Sequence, residues 1–223
     1  MFLRVAIFGV LCAVPVMATA HVVDDSAAPE PVIAVASELP NTRWDETDGG
    51  QKWTLAAINA LKTHGASLPQ TVPVDIDQWC PAYVAADPPG RRAFWVGFLS
   101  ALAFHESTLR PNAVGGGGKW FGLVQILPAT ARGYGCRAKT GEALKNGADN
   151  LSCAIRIMEV TVPRDQAIAF NNGKRAGVAA DWGPLVSTRK RTQMQAWTNA
   201  QSYCQPVVAK KPKWRPFSPR ITN

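Results

Sequence analysis

Glu106 is the residue of this sequence best placed to move a proton. The segment from Arg91 to Leu109 carries Trp95, Phe98, Leu99, Leu102 and Leu109 at helical spacing, and four residues after Leu102 the same stripe reaches Glu106. A carboxylate on a buried stripe is costly to ionise, so its pKa rises and it keeps a proton near neutrality. A neutral acid of this kind can donate that proton to a leaving group. The spacing also fits a second reading, in which Glu106 sits at the helix end as a surface acid facing solvent or Arg110.

Other chemistry-bearing residues group less well. Asp149, Asp165 and Asp181 each precede or cap an expected helix, where aspartate is favoured for capping alone. His105 and Ser107 are two apart on one helix and do not face each other, so they make no nucleophile and base pair. Gly115 to Gly118 with Lys119 imitates a phosphate loop, but Trp120 stands where Ser or Thr is required and no strand precedes it. A flexible loop beside a groove is the better account. The histidines His21, His64 and His105 are scattered and no C-x-x-C pair occurs, so neither a metal nor a cofactor is expected.

The elements that must position Glu106 are helical nearly throughout. Trp53, Ala57, Leu61 and His64 follow helix spacing after Asp48-Gly49-Gly50-Gln51, a loose capping signal. Pro88-Pro89-Gly90 stops the chain before the Arg91 segment. Leu144 to Val160, Asp165 to Phe170 and Ser187 to Tyr203 read as further helices, each preceded by Pro, Gly or Asn breakers. No continuous strand alternation is evident, and the fold class is mainly α.

The ends describe the compartment. Arg4, the apolar run Val5 to Val16 and the small residues Ala18-Thr19-Ala20 form a secretory signal over residues 1–20. The run is too short for a membrane span, which needs roughly 20 apolar residues, so no integral span is expected once the signal is removed. A secreted or periplasmic location follows. Residues 21–50 read as an acidic Pro/Ala-rich linker, residues 51–204 as one globular domain, and residues 205–223 as a basic Pro-rich tail with Lys210, Lys211, Lys213 and Arg215. Both tails are expected to be disordered.

The formal net charge is +8. Nucleic acid is an unsuitable partner for an exported protein, and an acidic cell-wall polymer suits the charge better. A basic balance that serves solubility fits as well. Of the five cysteines, Cys12 leaves with the signal, and Cys80, Cys136, Cys153 and Cys204 remain. In an oxidising compartment they imply two disulfides with three connectivities open to them. We favour Cys136 with Cys153, close in sequence, and Cys80 with Cys204, which ties the domain ends together.

Three ordered motifs over about Arg91 to Trp197 carry a resemblance to a known family. They are Glu106-Ser107 with Pro111-Asn112 downstream; Gly122-Leu123-Val124-Gln125-Ile126 followed by Pro128-Ala129-Thr130-Ala131; and Ala169-Phe170-Asn171-Asn172-Gly173. A weaker asparagine-led pattern lies at Asn150-Leu151. The chain thereby resembles the lytic transglycosylases with a lysozyme-like domain, related to goose-type lysozyme.

The resemblance implies a lysozyme-like fold and cleavage of the MurNAc-GlcNAc bond of peptidoglycan with 1,6-anhydro-muramic acid ends. Glu106 would be the lone catalytic carboxylate, with Ser107, Gln125, Phe170 and Asn171 as substrate contacts. Peptidoglycan glycan strands would be the partner, and the tails would suit docking to an envelope-spanning assembly. Val124 stands in the family's Met position, expected to line the groove, and Phe170 replaces a tyrosine whose hydroxyl lies near the acid. Lysozyme-like hydrolysis and a non-cutting, wall-binding role are the alternatives.

Overall fold

The computed structural model describes residues 39–206. The expected signal, the linker up to residue 38, the tail from residue 207 and Trp214 lie outside the described residues.

The fold is built around one helix, α2 (Pro88–Ser107). Every residue from Phe94 to Ala103 is buried, so this helix is apolar all round rather than along one stripe. Its start differs from expectation in an instructive way. Pro88-Pro89-Gly90 does not stop the chain before the helix but forms its first turn, with Pro at N1 and the Asp87 carboxylate accepting from the Gly90 N–H at 2.8 Å. Proline is tolerated there because the first N–H groups of a helix have no intrahelical acceptor.

Around α2 pack α1 (Gly50–Lys62), α6 (Gly183–Val186) and α7 (Thr188–Asn199), and α5 (Gly147–Asp165) packs against α1. Two short helices, α3 (Pro128–Gly133) and α4 (Gly141–Leu144), connect them. The aromatic centre consists of Trp79, Tyr83, Phe94, Trp95 and Phe98, packed mostly edge to face. Two of its polar side chains are paired in a chain, with Trp95 Nε1 donating to Tyr83 Oη and Tyr83 Oη to the Pro69 carbonyl.

Four expectations are corrected. Helix α5 begins at Gly147, where the Asn146 side chain caps it, and continues past Val160 to Asp165 with Pro163 in its last turns. Asp165 to Phe170 is consequently not a helix. The final helical segment ends at Asn199 and is followed by a 3-10 turn, Ser202–Cys204. The packed chain also begins N-terminal to residue 51: Trp44, within the expected linker, is fully buried, stacks edge-on against Trp53 and donates to Thr54 Oγ1 at 2.8 Å. Trp44 is thus core.

Among the described residues, strand structure is confined to two hairpins of two-residue strands. β1 (Val114–Gly115) pairs with β2 (Trp120–Phe121), and β3 (Phe170–Asn171) with β4 (Lys174–Arg175). Strands this short show no alternation for a sequence pattern to reveal. The structure contains both favoured disulfides, Cys80–Cys204 and Cys136–Cys153. Among the described residues no helix is long and apolar enough to cross a membrane.

Candidate active site

Glu106 occupies the last turn of α2, and the way that helix ends determines its surroundings. Ser107 is buried and its Oγ donates back to the Ala103 carbonyl at 3.1 Å. Thr108 (φ 53°) and Leu109 (φ 62°) then both adopt the left-handed conformation, which non-glycine residues rarely take. The chain turns sharply off the helix axis, and Arg110 Nε returns to the Ser107 carbonyl at 3.1 Å.

The Glu106 carboxyl is therefore packed from behind yet lies where the wrapping of α2 gives out. Burial pushes its pKa up to about 7, while the ammonium of Lys190 pulls the other way. Its place at a helix C-terminus, the negative end of the helix dipole, also disfavours the anion. The structure combines the two sequence readings: Glu106 is half-buried at the helix end, and Arg110 turns to a backbone carbonyl rather than to it.

The second motif is a tight turn held by buried polar groups. Gly122 has φ 83°, and a side chain there would collide with the Leu144 carbonyl and the Asn150 amide. Asn150 is fully buried. Its Oδ1 accepts from the Val124 N–H at 2.9 Å, and its Nδ2 donates to the Phe121 and Leu144 carbonyls at 3.0 Å each. Trp182 Nε1 donates to the Val124 carbonyl at 2.8 Å.

Val124 is fully buried, so this position is core and not, as expected from the motif, groove lining. Gln125 is the residue that emerges. At φ 51° it sends Nε2 to the Ala113 and Gly122 carbonyls (3.2 and 2.9 Å), with its Oε1 against Gly115. With Trp120, Thr130, Asp181 and Trp182 it lines a cavity of 100 Å³. Trp120 is 45% exposed and hence presents an accessible aromatic face.

The third motif forms the β3–β4 hairpin, whose two-residue turn is Asn172-Gly173 (φ 48° and 75°). This is the Asn-Gly pairing that a tight hairpin with two left-handed residues demands. Asn172 therefore turns the chain, and Asn171 ties its amide to the Asp165 carbonyl at 3.1 Å.

A residue not singled out from the sequence holds the strand in place. The buried Asp75 carboxylate accepts from the N–H groups of Ile168, Ala169 and Phe170 at 2.8, 2.8 and 3.2 Å. Phe170 is half-buried, with the Arg191 guanidinium 4.8 Å from its ring centroid. Lys190 and Arg191 are adjacent in α7, and they act on Glu106 and Phe170 respectively. Helix α7 thus links the first and third motifs, while Gln125 faces its own cavity with Asp181.

Asp181, read from the sequence as a cap, closes a 3-10 turn (Gly177–Ala180), and burial raises its carboxyl pKa. Asp149 instead pairs with Arg137, and Asp165 accepts from Arg164 and from the Gly177 N–H. The roles of Lys190 and Arg191 were not legible, since the run Arg189-Lys190-Arg191 reads as a solvated helix face. Among the described residues no group of three or more His, Cys, Asp or Glu could hold a metal ion.

Residues 89–179 match the family model described as the Transglycosylase SLT domain. No curated protein matches the chain. Among solved structures the chain is similar to Bd0314 DslA, as a wild-type form (TM-score 0.67) and as two glutamate-to-glutamine mutants (0.69 and 0.67). In each case identity is 27%, over 76% of this chain and 100% of that chain. The matched residues include all three motifs and the helix that carries Glu106, so residues 89–179 carry a domain of the lytic transglycosylase SLT type with a lysozyme-like fold.

Proposed function

We propose that the chain is an exported enzyme that cuts the MurNAc-GlcNAc bond of peptidoglycan without consuming water. The observation that carries the reading is the Glu106 carboxyl, raised by burial to about 7 at the open end of α2 within the matched domain. Near neutrality it exists in both protonation states, as a group that serves first as acid and then as base requires.

In the first step neutral Glu106 donates its proton to the glycosidic oxygen as the C1–O bond breaks, and the N-acetyl oxygen of the muramic acid closes on C1. The Glu106 carboxylate then takes the proton from the same sugar's 6-hydroxyl. O6 attacks C1 and displaces the N-acetyl oxygen, giving the 1,6-anhydro ring and restoring neutral Glu106. Gln125, Phe170 and Asn171 contact the sugars, and Ser107 holds the helix end that aims the acid. Peptidoglycan strands are the partner, and the signal over residues 1–20 delivers the domain to the periplasm or beyond. The tails are proposed as its link to any envelope-spanning assembly.

A hydrolytic second reading draws on Asp181, a raised carboxyl on the Gln125 cavity that could direct water as the second acid of a glycosidase. Digestion of sacculi in isotopically labelled water separates the two. Anhydro ends carrying no label support the proposed reaction, and labelled reducing ends overturn it.

A further inference from the structure

Gly116, Gly117 and Gly118, with Lys119, join β1 to β2, and the three glycines have φ of 56°, 65° and 89°. Only glycine takes this left-handed conformation freely. The N–H groups of Gly118 and Lys119 both donate to the Gly115 carbonyl, at 3.1 and 3.0 Å, and close the loop. A side chain at Gly117 or Gly118 would meet nothing within 4 Å, so the loop tip projects clear of the domain.

Gly116 is different. A Cβ there would lie 1.9 Å from two carbons of the Trp120 six-membered ring, so the indole packs directly on the Gly116 backbone. Trp120 is exposed, whereas Trp44, Trp53, Trp79, Trp95 and Trp182 are buried. So large an apolar surface left in water favours a ligand that covers it.

The cavity that Trp120 shares with Gln125 measures 100 Å³, below the roughly 300 Å³ at which ligand pockets begin. A sugar ring enters only when a wall moves. Ile126 and Ile157 are buried, and Trp182 Nε1 is held by the Val124 carbonyl at 2.8 Å, so these walls are fixed. Phe121 is paired with Ile126 through bonds of 3.1 and 2.9 Å, and the Gly122 N–H donates to the Ala113 carbonyl at 3.0 Å. The chain is anchored at Ala113 and Phe121. Residues 114–120 between them form the wall that can yield.

Resting on the proposed glycan substrate, we infer that residues 114–120 are a flap that bends on its glycines to admit one amino-sugar ring and closes Trp120 over it. The indole covers the C–H face of the pyranose, while Gln125, Thr130 and Asp181 offer donors and acceptors to the acetamido group and hydroxyls at its edge. Gly115 lies against Gln125 Oε1, so closure brings strand and amide to the sugar together. Gly116 acts through Trp120, by leaving the space in which the ring rests.

The test is a calorimetric titration of the full chain carrying Glu106→Gln with a GlcNAc-MurNAc tetrasaccharide free of stem peptides. Trp120→Ala in that chain should weaken binding by roughly tenfold or more, Gly116→Ala by a similar factor, and the double variant no further than either. All should still unfold cooperatively. In 5-fluorotryptophan-labelled protein, the Trp120 fluorine resonance, identified by its loss in Trp120→Phe, should lose its sensitivity to D2O when the sugar binds. A resonance unchanged at saturation, an affinity within about twofold of the parent for either single variant, or a further loss in the double variant overturns the inference. A parent chain that binds no tetrasaccharide overturns it together with the proposed substrate, whereas a parent that binds while the variants bind equally overturns the flap alone.

Discussion

At the scale of single residues, Glu106 makes testable statements about pH. Its carboxyl is raised from an ordinary value of 4.5 to about 7. As the required acid it should give kcat/KM a limb that falls as pH rises through about 7. Lys190 lowers this pKa, so Lys190→Met should move the limb to higher pH, and an unmoved limb would show that another group sets it. The same shift affects stability. A carboxyl with a raised folded pKa stabilises fully below its unfolded value and loses that contribution as pH climbs from about 4.5 to about 7. Glu106→Gln should therefore gain on the wild type between pH 4 and pH 8 by roughly 3 kcal/mol, the equivalent of the shift, in urea unfolding. A constant difference between the two proteins would mean that the carboxyl is not held neutral by burial.

At the scale of elements, the second and third motifs are held by buried polar anchors, Asn150 and Asp75. Removal of the Asp75 carboxylate strands three N–H groups at the entrance to β3. Asp75→Ala should cost about 3 kcal/mol or more in denaturant midpoint experiments, given one to three for each buried group left unpaired. A loss under 1 kcal/mol would show that water replaces the carboxylate. The long helices were legible because their apolar residues recur at helical spacing. The boundaries were less so, and for particular reasons. Pro88 and Pro89 act as breakers inside a helix but as initiators in its first turn, and Asp87 supplies the cap that decides between these roles. The Asn172-Gly173 hairpin was hidden because it joins strands of two residues, and no alternation flanks the turn.

At the scale of the whole molecule, the disulfides differ in what they restrain. Cys80–Cys204 closes a loop of 124 residues and Cys136–Cys153 one of 17. In the chain-entropy account the first stabilises by about 5 kcal/mol and the second by about 3. The Cys80→Ser/Cys204→Ser double variant should accordingly lower the unfolding midpoint more than Cys136→Ser/Cys153→Ser, and the reverse order would place the effect in native packing instead. The candidate site was legible in part for the same reason that these pairs were. Glu106, Gln125 and Asn150 lie in short ordered motifs, whereas Asp75 and Lys190 reach the site from distant segments that only folding brings near. The central claim is that Glu106 alone carries the acid and base steps of peptidoglycan cleavage. Mass spectrometry of the material released from purified sacculi by wild type and by Glu106→Gln tests it most directly. The account predicts anhydro-muramic acid ends from the wild type and release at least roughly 10³-fold slower from the variant, within the range general acid–base catalysis supplies. Equal release by the two proteins, or reducing ends in place of anhydro ends, would contradict it.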